Sequence, residues 1–261
     1  MTNSMVENSN AIRNTNMRHF TTALALAILI LATPTPPAAA KDLIQREFNG
    51  FVVSLDCERR GAVGFFYQLG EDRGNEKRES RFFTDPDIAT ECQQTSTSSY
   101  RRPDGEPKYD RGHLVPANHM DGSKESIRQS NYMTNVLPQA LQMNRGAWLL
   151  TEEITECHRD LEPLQVWGGV IWGDDTSNDH FLESHGVATP DAFWKVILKS
   201  DRGIAWLIPN NHQATRKRLD DYLVSLDHIE DLSGLDFPMP EDVESQPLPA
   251  SWIVPRGCDK S

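Results

Sequence analysis

One short segment carries side chains that could take up a proton and stabilise negative charge. The segment YDRGHLVPANH, residues 109 to 119, places Asp110 and Arg111 beside His113, with a second histidine, His119, six residues later. An imidazole titrates close to neutral pH, so a neutral His113 could act as a general base. A polar turn is the alternative interpretation of this segment, and His119 is the less favoured of the two histidines as a base.

Two later segments add an amide and a carboxylate. A helix is predicted to begin at Asn144, a good N-cap residue, and to carry Glu152 eight residues later. Eight residues are just over two helical turns, so the two side chains are expected to lie within about 80° of each other. Mg²⁺ prefers oxygen ligands and keeps several waters. Asn144 as a ligand and Glu152 as the holder of a coordinated water would leave positions for a phosphate.

Alternative interpretations of the helix residues stay open at this point. Asn144 could serve only as a helix cap, or as cap and ligand together. Glu152 could lie on a solvated helix face, with Glu153 as its rival, and Trp148 is better explained by packing than by stacking on substrate. With an arginine that binds phosphate through forked hydrogen bonds, the set of groups would suffice for phosphodiester hydrolysis.

The combination of segments resembles the DNA/RNA non-specific endonucleases, a family of ββα-metal nucleases that includes endonuclease G. The family signature is DRGH, then N-x-x-P-Q, then N-x-x-x-W-x-x-x-E, and it is met here by Asp110 to His113, by Asn135 to Gln139, and by Asn144, Trp148 and Glu152. The resemblance continues over roughly residues 48 to 238. It implies the ββα-metal (His-Me finger) fold.

The resemblance implies roles for the residues that match the signature. His113 would be the general base, Asn144 the direct ligand of Mg²⁺, with Mn²⁺ as a substitute, and Glu152 would bind the water shell of the metal. The implied reaction is hydrolysis of phosphodiester bonds in both DNA and RNA, with 5′-phosphate products. Contacts mainly to phosphates would make binding sensitive to salt and nearly independent of base sequence.

Further residues are expected to support this centre. Asn135 would help to fix the histidine and the substrate, and Asp110 and Arg111 would shape the strand, with Asp110 orienting metal-bound water. Family members also place an arginine on the scissile phosphate, upstream of an aromatic-x-x-Asp stretch. The segment KRESRFFTDPDI offers Arg78 or Arg81 for this role, and Arg81 is the preferred candidate.

The charge of the chain keeps two other functions open. Residues 41 to 261 carry 24 Lys and Arg against 37 Asp and Glu, and such a balance is not typical of a nucleic-acid-binding protein. The alternatives are a non-hydrolytic nucleic-acid-binding module on the same scaffold and a metal phosphodiesterase for small substrates. The basic residues gather near the DRGH segment, however, and the acids gather between residues 219 and 255, so a local anion site is compatible with the composition.

The first forty residues have the layout of a secretory signal. Arg18 and His19 precede an apolar run from Phe20 to Ala32, and small residues follow up to Ala40, the predicted cleavage position. The run is shorter than the ~20 residues of a membrane span, and an uncleaved anchor is the alternative. We therefore expect a periplasmic or secreted protein without stable membrane association after cleavage. The oligomeric state is left open, with a homodimer among the options.

The cysteine content agrees with export. The four cysteines, Cys57, Cys92, Cys157 and Cys258, suit two disulfides outside the cytoplasm, and three pairings are possible. A zinc site is the weaker alternative, because the chain has no C-x-x-C pair.

The predicted elements alternate without a βαβ rhythm. Strands are predicted at 51–70 as a hairpin, at 109–115, at 131–139 up to Pro138, at 164–173 in the centre of the sheet, and at 192–210 as a second hairpin; helices are predicted at 144–161 and within 215–235. This pattern favours an α+β fold with a central, largely antiparallel sheet flanked by helices. Residues 41–261 are expected to form a single domain with a Pro-rich C-terminal tail.

Overall fold

A computed structural model describes residues 43–239, 243 and 247–260. The predicted signal sequence, residues 1–40, lies outside the described residues, as does part of the Pro-rich tail. No helix within the described ranges has the length and apolar character that crossing a membrane requires.

Two antiparallel sheets organise the described chain. Their strands are β1 (Ile44–Glu47), β2 (Phe51–Asp56), β3 (Gly61–Leu69), β4 (Tyr109–His113), β5 (Val136–Ala140), β6 (Leu164–Ile171), β7 (Ala192–Leu198), β8 (Gly203–Pro209) and β9 (Leu223–Val224). The large sheet has the order β1-β2-β3-β6-β7-β8-β9, and β4 pairs with β5 in a separate two-stranded sheet. The apolar strand β6 therefore lies in the middle of the large sheet, as predicted, and both predicted hairpins are confirmed.

Short helices surround the sheets. They are α1 (Lys124–Ser130), α2 (Leu141–Met143), α3 (Leu149–Arg159), α4 (Leu182–His185) and α5 (Leu226–Ser233). A π-helical turn, Asn144–Trp148, joins α2 to α3 in one continuous helical segment. Wide turns of this kind occur often at functional sites.

The strand pair and the helical segment form a compact strand–strand–helix unit. In the β4–β5 register, His113 is opposite Val136 and Asp110 is opposite Gln139. Gly112 is required between them, because a Cβ atom there would lie 2.2 Å from the Gln139 side chain. The unit brings the end of β4 beside the helical segment.

The large sheet holds this unit by packing on one face. Trp148, fully buried, packs against Phe193 of β7 with ring centroids 5.6 Å apart, in the same apolar core as Leu137 of β5. A smaller core on the other face contains Val196 of β7 and Ile229 of α5. Strand β7 is thus buried on both faces, which makes it a rigid base beneath the helical segment.

Two local predictions were wrong, and a third is confirmed. Pro138 lies inside β5 instead of ending it. A two-stranded sheet permits this, because each of its strands pairs with a neighbouring strand along one edge. Asn144 does not begin a helix: α2 precedes it, and its own backbone is helical with φ −57° and ψ −47°. The helix predicted within 215–235 is confirmed as α5, and a 3₁₀ turn, Arg216–Tyr222, and strand β9 precede it.

Two disulfides join distant parts of the described chain. Cys57 pairs with Cys92, and Cys157 of α3 pairs with Cys258 of the tail. The tail is therefore tied to the helix that carries Glu152, and the expectation of two disulfides is confirmed.

Candidate active site

A cleft of about 550 Å³ opens where β4 meets the helical segment. Its walls include Lys77, Arg78, Arg111, His113, Asp121, Asn144, Arg145, Glu152 and Lys260. Three of the sequence-predicted groups, the imidazole of His113, the amide of Asn144 and the carboxylate of Glu152, therefore converge on one space.

His113 is buried at the end of β4, with 6% of its surface exposed. Its Nε2 atom lies 2.8 Å from Oδ1 of Asn131. Because Nδ2 of Asn131 donates to the carbonyl of Glu79, the amide oxygen is left to accept the Nε2–H of the histidine. Nδ1 then carries the lone pair, and it has no hydrogen-bond partner within the described chain.

The environment of His113 favours the neutral imidazole. Burial lowers the pKa of His113 to about 4, with a further lowering by the charge of Arg78, while the hydrogen bond to Asn131 opposes this. The ring also lies 5.3 Å from that of Phe82. At neutral pH the histidine is thus an unprotonated base.

Asn131 takes the position that we assigned to Asn135. The side chain of Asn135 is fully buried, and among the described residues its hydrogen bonds go to backbone: Oδ1 accepts from the amide of Val115, and Nδ2 donates to the carbonyls of Val115 and Ser130. Asn135 therefore holds the chain just after β4 and does not contact the imidazole. The sequence offered no signal for choosing between two asparagines four residues apart in one segment.

Asp110 fixes the side chain of Asn144. Oδ2 of Asp110 accepts a hydrogen bond of 2.9 Å from Nδ2 of Asn144, and the same carboxylate pairs with Arg145 at 2.8 Å. The amide nitrogen of Asn144 is thereby engaged, and its oxygen has no hydrogen-bond partner in the part of the chain that the structure describes. Sequence analysis predicted both residues at the site but did not predict this contact.

Glu152 lies on the first turn of α3 and lines the same cleft. Burial raises the pKa of its carboxyl group, while the cations Lys195 and Arg78 oppose that shift. The rival Glu153 is instead bound by Arg216 at 2.7 Å and by Lys260 at 2.6 Å. The hydrogen bond from Arg216 is the largest of the influences that lower the pKa of Glu153 to about 2.

Arg111 is anchored to the wall of the cleft. Its guanidinium donates to the carbonyl of Thr97 at 2.7 Å and lies 3.9 Å from the centre of the Phe82 ring. Burial lowers the pKa of Arg111, which nevertheless stays charged.

The two upstream arginines have different surroundings. Arg78 lines the cleft and acts electrostatically on both His113 and Glu152. The side chain of Arg81 is 75% exposed, its guanidinium lies 3.5 Å from Glu79, and it does not line the cleft. The structure brings Arg78, and not the preferred Arg81, to the candidate site.

The oxygen donors of the cleft fit a hard divalent cation. Within the described ranges, no cluster of three or more His, Cys, Asp or Glu side chains is placed to hold a metal. The amide of Asn144 and the carboxylate of Glu152 both line the cleft and supply oxygen donors. A site with few protein ligands, completed by water and substrate oxygens, is the type that Mg²⁺ occupies.

Comparisons with known proteins agree with this geometry. The sequence profile of the DNA/RNA non-specific endonucleases matches residues 34–243. Nuclease C1 of Cunninghamella echinulata is 28% identical over 220 residues, which cover 77% of this chain and 84% of that protein. Mitochondrial endonuclease G of Bos taurus is 27% identical, over 72% of this chain and 66% of its own length.

A solved structure shares the fold. The structure of EndoG in complex with EndoGI superposes with a TM-score of 0.60 at 22% sequence identity, over 74% of this chain and 84% of that one. The strand–strand–helix unit described above is thus part of a ββα-metal nuclease fold, as the resemblance implied. This chain belongs to the family of DNA/RNA non-specific endonucleases.

Proposed function

We propose that this protein is an exported, Mg²⁺-dependent endonuclease that hydrolyses the phosphodiester bonds of DNA and RNA and leaves 5′-phosphates. The observation that carries the proposal is the convergence of His113, Asn144 and Glu152 on one cleft. Membership of the family supports the hydrolytic activity.

His113 is the proposed general base. The hydrogen bond from Nε2 to Asn131 fixes the ring and leaves Nδ1 to take the proton of an attacking water. Since burial lowers the pKa of His113 to about 4, no proton has to be removed from the ring before catalysis at neutral pH.

Asn144 and Glu152 are the proposed metal-binding residues. Asp110 holds the amide nitrogen of Asn144, so the amide oxygen is presented without a competing rotamer. When bound, Mg²⁺ supplies Lewis-acid stabilisation of the charge that develops on the phosphate and the leaving oxygen.

The cationic wall of the cleft is the proposed phosphate-binding surface. Lys77, Arg78, Arg111 and Arg145 line it, although the whole chain has a net charge of −12. Arg78 is the proposed contact to the scissile phosphate, because its charge reaches both the base and the metal-binding carboxylate. Contacts to phosphates are shared by DNA and RNA, and they predict binding that weakens with salt.

The proposed location is the periplasm or the medium. The signal-like segment, residues 1–40, and the two disulfides support it, because disulfides persist in oxidising compartments.

A direct assay tests the proposed function. The oxidised protein, residues 41–261, is incubated with supercoiled plasmid or total RNA, in Mg²⁺ or in EDTA. We expect both substrates to be degraded in Mg²⁺ only, with 5′-phosphate ends. Folded protein that degrades neither substrate would overturn the proposal. A variant Asn144→Ala that keeps full activity would overturn the assigned metal-binding role.

A further inference from the structure

Lys195 is a buried cation that the proposed mechanism does not use. It lies on β7 with no exposed surface, and its Nζ atom has no hydrogen-bond partner among the described residues. Burial of an ammonium group without an acceptor is unfavourable, and lysine is rarely found fully buried unless it is paired. Burial of Lys195 therefore costs free energy, and packing alone does not explain why a lysine lies at this position.

The ammonium group of Lys195 lies on the face of Trp148. The distance from Nζ to the centre of the ring is 3.8 Å, which is the geometry of a cation–π contact. Between two fully buried groups such a contact is stronger than at the surface. It orients the indole ring against the rigid strand β7.

The edge of the same indole reaches the candidate base. Nε1 of Trp148 donates a 3.1 Å hydrogen bond to the backbone carbonyl of His113. Trp148 also ends the π-helical turn that begins with Asn144, and α3 with Glu152 follows directly. One ring therefore joins the end of β4 to the helical segment that holds the proposed metal-binding residues.

We propose that Lys195 is a positioning residue for the hydrolytic centre: it fixes the ring of Trp148 and thereby the distance of His113 from Asn144 and Glu152. This inference rests on the proposed function. Small displacements of a base from its substrate are sufficient to lower a rate strongly.

The substitution Lys195→Met separates positioning from a merely structural role. Methionine fills a similar volume and removes the unpaired charge, so the variant is expected to melt at or above the wild-type temperature. Its kcat in Mg²⁺ is expected to fall by about 10- to 100-fold with little change in KM. A structural residue would instead lose stability and activity together, so a lower melting temperature or an unchanged kcat in Lys195→Met would overturn the inference.

Lys199 provides a matched control. It is also buried, its Nζ atom lies 4.9 Å from the centre of the Trp252 ring, and it pairs with Glu162 away from the cleft. We expect Lys199→Met to keep the wild-type kcat. An equal loss in both variants would show a general effect of removing buried lysines and would also overturn the inference.

A double-mutant cycle tests the route through Trp148. Trp148→Phe keeps an aromatic face but lacks the donor to His113. If Lys195 acts through the indole, Lys195→Met combined with Trp148→Phe is expected to be no slower than the slower single variant. If the fold-losses in kcat of the two single variants multiply in the double variant, Lys195 acts independently of Trp148, and the proposed route is wrong. A wild-type protein that cleaves neither DNA nor RNA would contradict the proposed function itself. That outcome is distinguishable from the results expected for the Lys195, Lys199 and Trp148 variants.

Discussion

His113 and His119 lie six residues apart and share most of the properties by which a catalytic histidine is sought. Both are buried, with 6% and 3% of their surface exposed, and in both cases burial is the main reason that the pKa lies below the usual value. They differ in the partners of their ring nitrogens. Among the described residues, His113 has one bonded nitrogen and one without a hydrogen-bond partner, beside a cleft, whereas both nitrogens of His119 are bonded within the core.

The partners of His119 favour a structural role for this histidine. Its Nδ1 atom lies 2.9 Å from the hydroxyl of Tyr67, and Nε2 lies 3.2 Å from the backbone carbonyl of Glu152 and 3.3 Å from the carboxylate of Glu156. Burial raises the pKa of Glu156 to about 7 and lowers that of His119, so at neutral pH the imidazole is uncharged. A lowered pKa is therefore common to both histidines, and what distinguishes the proposed base is a ring nitrogen without a described partner beside a substrate-sized space.

The largest expected effect comes from removal of the free nitrogen. His113→Ala should lower kcat by about 10²- to 10⁴-fold, the range in which a general base contributes. The fold should persist, because the ring makes one side-chain hydrogen bond, to Asn131. Plasmid nicking rates and a thermal melt measure the two quantities. Near-wild-type kcat in this variant would remove the distinction between the two histidines.

A smaller effect is expected from loss of the group that orients His113. Asn131→Ala removes the acceptor of Nε2–H, so the ring can rotate or exchange its protonated nitrogen, and kcat should fall by about 10- to 100-fold. Asn135→Ala is the matched comparison, since that side chain bonds only to backbone and should affect stability more than kcat. Kinetics at several temperatures below the melting transition distinguish the two. If Asn135→Ala lowered kcat more than Asn131→Ala does, Asn135 would be the residue that orients His113.

The burial of His113 and the nearby charge of Arg78 predict how kcat/KM depends on pH. The neutral imidazole is the active form, so kcat/KM should fall as the pH drops through the pKa of His113, about 4 in the free protein. Arg78 contributes to this low value, so Arg78→Ala should move the acid limb to higher pH and lower kcat/KM by about tenfold. Arg81→Ala should leave the profile in place, because that side chain lies outside the cleft. The same shift in both variants would contradict the assignment of Arg78.

The sequence predicted which side chains line the cleft better than it predicted the local backbone around them. The types and spacing of His113, Asn144 and Glu152 were enough to predict a common site, because the signature fixes which elements carry them. The wrong local predictions share one cause, since Asn144 and Pro138 were interpreted by propensity alone. A good N-cap residue can lie inside a helix when its side chain finds another partner, here Asp110.

Long-range contacts could not be predicted from spacing. The hydrogen bond from His113 to Asn131 and the contact of Lys195 with Trp148 join elements far apart in sequence. The choice between Arg78 and Arg81 depends on the path of an irregular loop, residues 70 to 82, which has no periodicity to interpret. Such contacts follow from the packed fold and not from local sequence.

The smallest effect on catalysis, and a substantial effect on stability, is expected at His119. Among the described residues, His119→Ala leaves the hydroxyl of Tyr67 without its partner and leaves the carboxylate of Glu156 with Arg159 alone, and a buried group left unpaired costs about 1–3 kcal/mol. The free energy of unfolding in urea should fall by that order, while kcat per folded molecule stays within about threefold of wild type. Circular dichroism at the assay temperature measures the fraction of the protein that is folded. If kcat fell as far as in His113→Ala while the protein stayed folded, both histidines would belong to the catalytic centre, and a free ring nitrogen would no longer separate the catalytic histidine from the structural one.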